Sequence, residues 1–378
     1  VLALAALLLA GARRMRPRGE PAGPAVPVSL VVPVAGGSGA TAAGLASLLA
    51  QDHPDFEIVL VTEDDADDAV PGIRALLTAP AAGGCRRRIH VTAGPAAACA
   101  QKNLNLLAGV RASEPGRPVL AFCDAGHLAP AGWLRRLTAP LADEPGAVVT
   151  GYHDIRPVLP GVACAGRALT VLVLRLLQLV PGLAQPWGGA MAMTRSTFVT
   201  LDLDGFWSTQ VVDDVSLARR LRERGARVLA VPETTMSTPP GSGGLREWAG
   251  WLTRQLYFLR VVFPLSWVVG GLLGWSMALL LAAAVGLAVA AASVPAAAAL
   301  VAFTALAVAL RRVHPEPGPA ARWAAAGWVA LVVGCVCHAR SGFLRRLVWR
   351  GIAYGVAADG SVRVFRSRDR SSSTRVPS

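Results

Sequence analysis

The chain has 378 residues, of which 53% are hydrophobic, and its mean hydropathy is +0.46. This hydrophobicity excludes an ordinary soluble enzyme and indicates a membrane protein with room for one soluble domain and several membrane segments. The net charge is +13, but the arginines lie mainly beside apolar runs and in the C-terminal tail. We therefore expect contact with anionic lipid headgroups and no nucleic-acid binding, because no aromatic-rich basic patch accompanies the charge.

The chain begins with a short apolar, uncharged run over residues 1–12, which several arginines follow. We predict that residues 1–19 are an N-terminal membrane anchor, of which the sequence holds only the end, with its basic flank. A signal peptide is the alternative, but signal peptides carry their positive charge before the apolar core. Arginines after the anchor predict that the following domain is cytoplasmic.

A soluble domain is predicted over residues 20–260, because apolar strand-like runs alternate with helical patterns. The predicted strands are Val28–Val34, Phe56–Thr62, Arg88–Val91, Pro118–Cys123 and Ala147–Tyr152. The predicted helices are Thr41–Gln51, Ile73–Leu77, Gln101–Ala112 and Val215–Arg224. This order favours an α/β fold with a mostly parallel sheet, in which ligands bind beyond the carboxyl ends of the strands.

One apolar segment, Val162–Val180, is interrupted only by Arg167 and Arg175. It fits a helix of the core or a helix in the membrane interface. We favour the interface, because both arginines can extend their charged heads towards water.

The C-terminal third contains the predicted membrane segments, residues 261–340. Val261–Leu310 carries no charge and is long enough for two spanning helices with a break near Ser293–Pro295. A third apolar segment covers Trp323–Ala339. Three full spans would place the basic, partly disordered tail, residues 341–378, outside, against the positive-inside tendency. Either the last segment is re-entrant or interfacial, or the break is not a true turn.

Acidic side chains follow two of the predicted strands. Asp64 and Asp67 belong to a cluster after Phe56–Thr62, where carboxylates can hydrogen-bond a nucleotide base or ribose or merely cap a helix. Asp124 ends another strand and is followed by small residues, which leave room for a metal ion and a diphosphate. The neighbouring His127 is a second possible ligand, although a surface histidine is the simpler interpretation.

Three further segments contain candidate site residues. Asp213 and Asp214 open a helix, where carboxylates either act as a general base or simply gain from the helix dipole. Lys102-Asn103 begins another helix, and a lysine there is unfavourable unless an anion such as a diphosphate lies nearby. Trp187-Gly188-Gly189 is a tight turn beside an aromatic ring, suited to a sugar or to plain packing.

In this order the segments resemble the family 2-like glycosyltransferases, specifically the ceramide glucosyltransferase branch with its bacterial glycolipid and hopanoid-associated members. The resemblance covers nearly the whole chain. The segments that carry it are VSLVVPV, LLAQDHPDFEIVLVTEDDADDA, AAACAQKNLNLLAG, FCDAG, PWGGAMAMTRSTF, VVDDVSLARRLRERGARVLAVPE and VWRGIAYGV. The resemblance implies a GT-A-type nucleotide-sugar-binding domain with transmembrane helices.

The resemblance also implies roles for the candidate residues. Asp214 matches the catalytic base, with Asp213 beside it, and Trp187, Gly188 and Gly189 match the acceptor-side turn. Mg²⁺ or Mn²⁺ is expected on Asp124. The expected donor-binding residues are Asp64, Asp67, Lys102, Asn103 and Asp124.

One element departs from the family pattern, which has glutamine or arginine, two residues, and then Arg-Trp. Trp251 matches, but Gly250 replaces the arginine and Glu247 holds the first position. Arg254 and Gln255, one helical turn beyond Trp251, are expected to supply the missing polar contacts on the acceptor side.

The expected activity is inverting transfer of glucose or N-acetylglucosamine from a UDP-sugar to the hydroxyl of a ceramide-like or hopanoid-type membrane lipid. The enzyme is expected to be a multi-pass protein of the cell membrane with a cytoplasmic catalytic domain. The alternatives are a polyprenyl-phosphate sugar transferase, a polysaccharide synthase, and a non-catalytic membrane protein that keeps the fold.

Overall fold

The computed structural model describes residues 2–15, 25–79, 83–180, 182–241, 243–290, 293–357 and 360–366. Residues 16–24, which include much of the predicted basic flank, and residues 367–378, the Ser/Arg-rich end of the tail, lie outside these ranges. The strands are β1 (Val28–Pro33), β2 (Phe56–Thr62), β3 (Cys85–Thr92), β4 (Val119–Cys123), β5 (Val148–Thr150), β6 (His153–Ile155), β7 (Ala190–Thr194), β8 (Val228–Ala230), β9 (Met236–Thr238), β10 (Leu347–Trp349), β11 (Ile352–Val356) and β12 (Val362–Phe365). The α-helices are α1 (Leu2–Arg14), α2 (Gly39–Leu49), α3 (Val70–Thr78), α4 (Gln101–Ala112), α5 (Trp133–Thr138), α6 (Val162–Gln178), α7 (Arg195–Thr200), α8 (Leu203–Trp207), α9 (Asp214–Arg224), α10 (Leu245–Val262), α11 (Pro264–Ala290), α12 (Val294–Leu310) and α13 (Ala320–Phe343).

The central sheet has the strand order β3-β2-β1-β4-β7-β5-β8, and only β7 runs antiparallel to its neighbours. Both faces are buried, with α2, α3 and α5 packed on one side and α4, α8 and α9 on the other. The predicted mostly parallel α/β sheet is therefore confirmed. The carboxyl ends of β1, β2 and β4 meet at one edge.

Helix α2 packs against the loop that follows β4. Gly44 lies so close to this loop that a Cβ atom there would overlap the carbonyl of Ala125. Gly39, on the same helix, has open space around it. The close approach of Gly44 therefore packs helix α2 directly against the backbone next to Asp124.

Three helical segments are long and apolar enough to cross a membrane: Pro264–Ala290, Val294–Val313 and Ala320–Phe343. The first segment ends at Ala290 and the second begins at Val294, so the break lies near Ser293–Pro295, as predicted. Together they confirm a membrane protein. Most of the apolar side chains of α11 are exposed, as lipid-facing residues would be.

Helix α13 contacts the soluble domain at both of its ends. In the loop before it, Glu316 forms an ion pair with Arg156 at 3.1 Å. At its far end, Arg260 of α10 donates hydrogen bonds to the carbonyls of Gly342 and Leu344. Between these ends, α13 packs along α6 and α10. The helix therefore lies lengthwise against the domain.

The arginines of α6 do not extend towards water. Arg167 pairs with Glu247 at 2.6 Å, and the buried Arg175 lies 3.8 Å from Asp154. The reason given for an interfacial helix was therefore wrong, because both charged heads face carboxylates within the protein. The helix instead packs between α1, α13 and β6.

Part of the tail predicted as partly disordered forms a three-stranded antiparallel sheet, β10-β11-β12. Leu347 and Tyr354 of this C-terminal sheet pack with Tyr257 and Phe258 of α10. The hydroxyl of Tyr354 also accepts a hydrogen bond from the backbone N–H of Gln101, at the start of α4. The C-terminal sheet is therefore fixed to the soluble domain.

We expect Gly44→Ala to destabilise the protein, because the added methyl group has to displace the loop beside Asp124. Overpacking of this kind typically costs about 1–3 kcal/mol. Thermal unfolding of the detergent-purified protein measures the effect. Gly39→Ala is the matched control and should leave the midpoint unchanged or higher. Equal midpoints for the two variants would contradict the close packing at Gly44.

Candidate active site

The only lysine of the chain, Lys102, lies at the centre of a cluster at the carboxyl edge of the sheet. Its Nζ is 2.7 Å from Asp124 Oδ1 and 3.0 Å from Asp213 Oδ2, and it donates to the carbonyl of Gly188 at 3.3 Å. The lysine comes from the first turn of α4, Asp124 follows β4, and Asp213 precedes α9. The sequence predicted an anion near this lysine, and the carboxylates of Asp124 and Asp213 take that place in the structure.

Asn103 has a different position from the other predicted donor-side residues. It is fully buried, and its side-chain amide donates to the carbonyls of Trp207 and Gln210. The indole of Trp207 in turn donates to the carbonyl of Asp213. The structure does not bring Asn103 into the cleft but gives it a supporting role, because it ties the segment before α9 to the start of α4.

Asp214 is oriented by backbone groups. Its Oδ2 accepts a hydrogen bond of 2.9 Å from the N–H of Gly188, and its Oδ1 accepts one from the N–H of Val215. A side chain at Gly188 would overlap the carboxylate of Asp213. The glycine turn therefore allows both aspartates to approach the strand that follows it.

Burial and neighbouring charges shift the pKa values of Asp213 and Lys102. Burial raises the pKa of Asp213 to about 6, and Lys102 opposes this rise. Burial acts to lower the pKa of Lys102, but Asp124 and Asp213 outweigh it and raise that pKa above its usual value. Lys102 is therefore charged at neutral pH, and its charge is shared between the two carboxylates.

His127 is not a surface histidine, since only 13% of its side chain is exposed. Its Nε2 lies 3.9 Å from Asp124 Oδ2, and its Nδ1 is 2.7 Å from the hydroxyl of Thr238. Burial lowers the pKa of His127 to about 4, although Asp124 opposes the change. The ring is therefore neutral at pH 7.

A second histidine shares the same hydroxyl. His153 Nδ1 is 2.6 Å from Thr238 Oγ1, and burial holds its pKa well below the usual range. A hydroxyl has one proton to donate and two lone pairs that accept, so at least one of the two rings donates to Thr238. If His127 is the donor, its Nε2 lone pair faces the Asp124 carboxylate.

The acidic loop after β2 contains both predicted nucleotide-side aspartates. Asp64 is exposed, whereas Asp67 is half-buried and its Oδ1 accepts hydrogen bonds from the N–H groups of Gly36 and Ala69. Asp67 therefore joins this loop to the loop after β1. Glu63, at the start of the cluster, pairs with Arg366 beyond β12.

The predicted acceptor-side residues Trp187 and Trp251 make two separate sets of contacts. Trp187 stacks on His153 with ring centroids 4.6 Å apart, and a Cβ atom at Gly189 would overlap the Trp187 ring. In the second set, the guanidinium of Arg167 lies over the ring of Trp251, 5.9 Å from the ring centroid. Tyr152 contacts both Trp187 and the apolar cluster that includes Trp251, so these rings form one aromatic group, the aromatic pocket of the proposed acceptor side.

Helix α10 places Arg254 near this site, with its guanidinium over the ring of Trp349 at 5.6 Å. Burial lowers the pKa of Arg254, Arg350 lowers it further, and Asp124 raises it. The side chain of Gln255 makes no hydrogen bond with a described residue. A side chain at Gly250 would meet nothing within 4 Å, so this departure from the family pattern leaves open space.

Sequence reasoning missed several residues of the site. His153 and Thr238 belong to the three-residue strands β6 and β9, which carry no clear sequence signal, and Tyr152 directly precedes β6. Arg350 had a usable signal, because Arg350-Gly351 separates two short strand-like runs, and a residue-glycine pair there favours a tight hairpin.

Among the described residues, no group of three or more His, Cys, Asp or Glu side chains could hold a metal ion by itself. Asp124 Oδ2 and His127 Nε2 do fit a divalent cation, since metal bonds of about 2.1 Å join atoms up to about 4.2 Å apart. The remaining ligands of such an ion would be water and substrate oxygens.

Comparison with solved structures shows the same fold. A mannosyltransferase from Pyrobaculum calidifontis, PcManGT, solved with GDP-Man and Mn²⁺, is 21% identical with a TM-score of 0.51. The match covers 89% of this chain and 97% of that one. A GalNAc-T7 structure with UDP, GalNAc and Mn²⁺ is more distant, with a TM-score of 0.39, 16% identity, and coverage of 64% and 52%. The first of these likenesses shows a GT-A fold.

No curated protein sequence matches the chain significantly. The model of glycosyl transferase family 21, in contrast, matches residues 1–362. The aspartate and lysine cluster lies within this range, as do all three apolar helices. The chain therefore belongs to glycosyl transferase family 21, the ceramide glucosyltransferase-type family, and is a glycosyltransferase that uses a nucleotide-sugar.

Proposed function

We propose that the enzyme transfers glucose or N-acetylglucosamine from a UDP-sugar to the hydroxyl of a membrane lipid, such as a ceramide-like or hopanoid-type lipid, with inversion. The observation that supports this proposal is the convergence of Lys102, Asp124, Asp213 and Asp214 beside helices that contact the apolar segments. Such a site brings a polar donor and an apolar acceptor together at the membrane surface.

Asp214 is the proposed general base. Its carboxylate is held by the N–H groups of Gly188 and Val215, which fix its direction without neutralising it. It takes the proton of the acceptor hydroxyl as that oxygen attacks the anomeric carbon. The bond between this carbon and the diphosphate oxygen breaks on the opposite side, so the configuration inverts. Lys102 supplies positive charge near the departing diphosphate.

Asp124 and His127 would hold the divalent cation. Asp124 Oδ1 is engaged by Lys102, which leaves Oδ2 facing His127 Nε2. When bound, the cation neutralises charge on the diphosphate of the leaving group. An imidazole ligand suits Mn²⁺ better than Mg²⁺, which prefers oxygen, so we propose Mn²⁺ as the better cofactor.

The donor nucleotide is proposed to lie along the loops after β1 and β2. Asp64 is exposed and accepts one hydrogen bond through Oδ1 from the N–H of Ala66, so its Oδ2 can accept one from a uracil or ribose, while Asp67 keeps the two loops together. The acceptor is proposed to enter between Trp187 and Trp251, with Gln255 towards the bilayer. This arrangement leaves Asp214 between donor and acceptor.

We also propose a membrane topology. The C-terminal sheet and the soluble domain are on the same side, because Tyr354 bonds to the start of α4. An even number of crossings must therefore separate them. Helices α11 and α12 form the hairpin that crosses, and α13, whose two ends contact the domain, lies in the interface. The catalytic domain is cytoplasmic, which keeps the arginines that follow the N-terminal anchor inside.

A donor screen on purified membranes tests the proposed activity. It supplies UDP- and GDP-sugars with Mn²⁺, Mg²⁺ or EDTA and measures free nucleoside diphosphate and labelled lipid. We expect transfer from one UDP-sugar into the lipid fraction, fastest with Mn²⁺ and abolished by EDTA. Transfer to a lipid phosphate would instead identify the polyprenyl-phosphate alternative, and donor binding without turnover the non-catalytic one.

Asp214→Asn should reduce kcat by about 10²–10⁴, because loss of a general base typically has an effect of this size. Donor binding should persist, since Asp214 is not assigned to the donor. Radiolabelled transfer into lipid measures kcat, and equilibrium binding of UDP measures the donor side. Asp204→Asn is the control, because Asp204 is exposed and pairs with Arg111. Full activity of Asp214→Asn would remove the base assignment.

Cysteine labelling tests the topology. Val294→Cys lies at the α11–α12 turn and Val348→Cys on β10, and both positions are exposed. We expect a membrane-impermeant maleimide to label the first in intact cells and the second only after permeabilisation. The unsubstituted chain is the control, because its six cysteines are buried. Labelling of both positions from the same side would contradict the hairpin.

A further inference from the structure

The hairpin between β10 and β11 has an unusual residue at its tip. Trp349 pairs with Ile352, so Arg350 and Gly351 form a two-residue loop, and their φ angles are +52° and +78°. Positive φ at both positions defines a turn that favours Asn, Asp or Gly at the first of them. An arginine there is strained, and such strain is concentrated at ligand-binding and catalytic sites.

The tip of this hairpin lies beside the loop after β1, where the donor nucleotide is proposed to bind. A Cβ atom added at Gly36, in the loop after β1, would be 3.4 Å from Arg350 Nη1. The N–H of the same glycine is held by Asp67. Trp349, next to Arg350, lies under the guanidinium of Arg254. Arg350 therefore lies beside the loop after β1 and near Arg254, on which the charge of Asp124 also acts.

The charges at this place are unbalanced. Neither Arg254 nor Arg350 forms an ion pair with any residue that the structure describes. The Arg350 charge acts on Arg254 strongly enough to lower its pKa, after burial, while Asp124 opposes it. Arg350 is exposed to solvent, but the two neighbouring guanidinium groups repel each other, and an anion bound between them would offset this repulsion.

We propose that Arg350 binds the diphosphate of the donor nucleotide, with Arg254 beside it. This inference rests on the proposed function and names a donor contact outside the GT-A domain. The planar guanidinium can donate two parallel hydrogen bonds to phosphate oxygens, which a lysine cannot do. The C-terminal sheet, which follows the membrane helices in the chain, then forms one wall of the donor site.

The test uses Arg350→Asn in the purified full-length protein. Asparagine tolerates positive φ, so the thermal midpoint should stay equal or rise. Affinity for UDP in the presence of Mn²⁺ should fall tenfold or more, and affinity for uridine should not change. Arg363→Asn is the matched control, because Arg363 is exposed on β12 of the same sheet. It should leave both affinities and the midpoint unchanged.

The possible results separate this inference from the proposed function. If the unsubstituted enzyme binds no nucleoside diphosphate, the proposed function fails, and the inference fails with it. If it binds UDP and Arg350→Asn binds UDP equally well, only the inference is overturned. An equal loss of UDP and uridine affinity, or a lowered thermal midpoint, would also overturn it, because the hairpin would then have a structural role.

Discussion

The arrangement of the site depends on the burial of one lysine among carboxylates. A buried ammonium group is costly unless it is paired and hydrogen-bonded, and Lys102 meets this requirement with Asp124, Asp213 and the carbonyl of Gly188. These partners come from the end of β4, the start of α9 and a glycine turn. The cluster can therefore form only when the sheet, both helices and the turn are all in place.

Helix α10 links this polar cluster to the membrane segments. One of its faces packs Trp248 against α13, and its last turn holds the end of α13 through Arg260. Trp251 and Arg254, further along the same helix, lie at the proposed acceptor side. Because one helix makes all these contacts, the fold fixes the position of the site relative to the apolar helix α13.

The sequence predicted the sheet and most of the cluster, because buried strands are continuous apolar runs and their carboxyl ends hold ligands. It misplaced Asn103, since neighbouring residues on a helix point in different directions and only Lys102 faces the cleft. Hydropathy found α13 but gave no orientation, which depends on contacts at both ends. The C-terminal sheet was missed because strands of three to five residues, rich in arginine and glycine, lack a clear period.

The position of the C-terminal sheet connects topology with chemistry. Tyr354 bonds to the N–H of Gln101, one residue before Lys102, and the same sheet carries Arg350 to the nucleotide side. The chain must therefore return to the catalytic side of the membrane before its last strands can form. A third complete crossing would carry the C-terminal sheet to the opposite side of the membrane and leave the N-terminus of α4 uncovered. The proposed interfacial position of α13 therefore agrees with the arrangement of the site as well as with the distribution of charge.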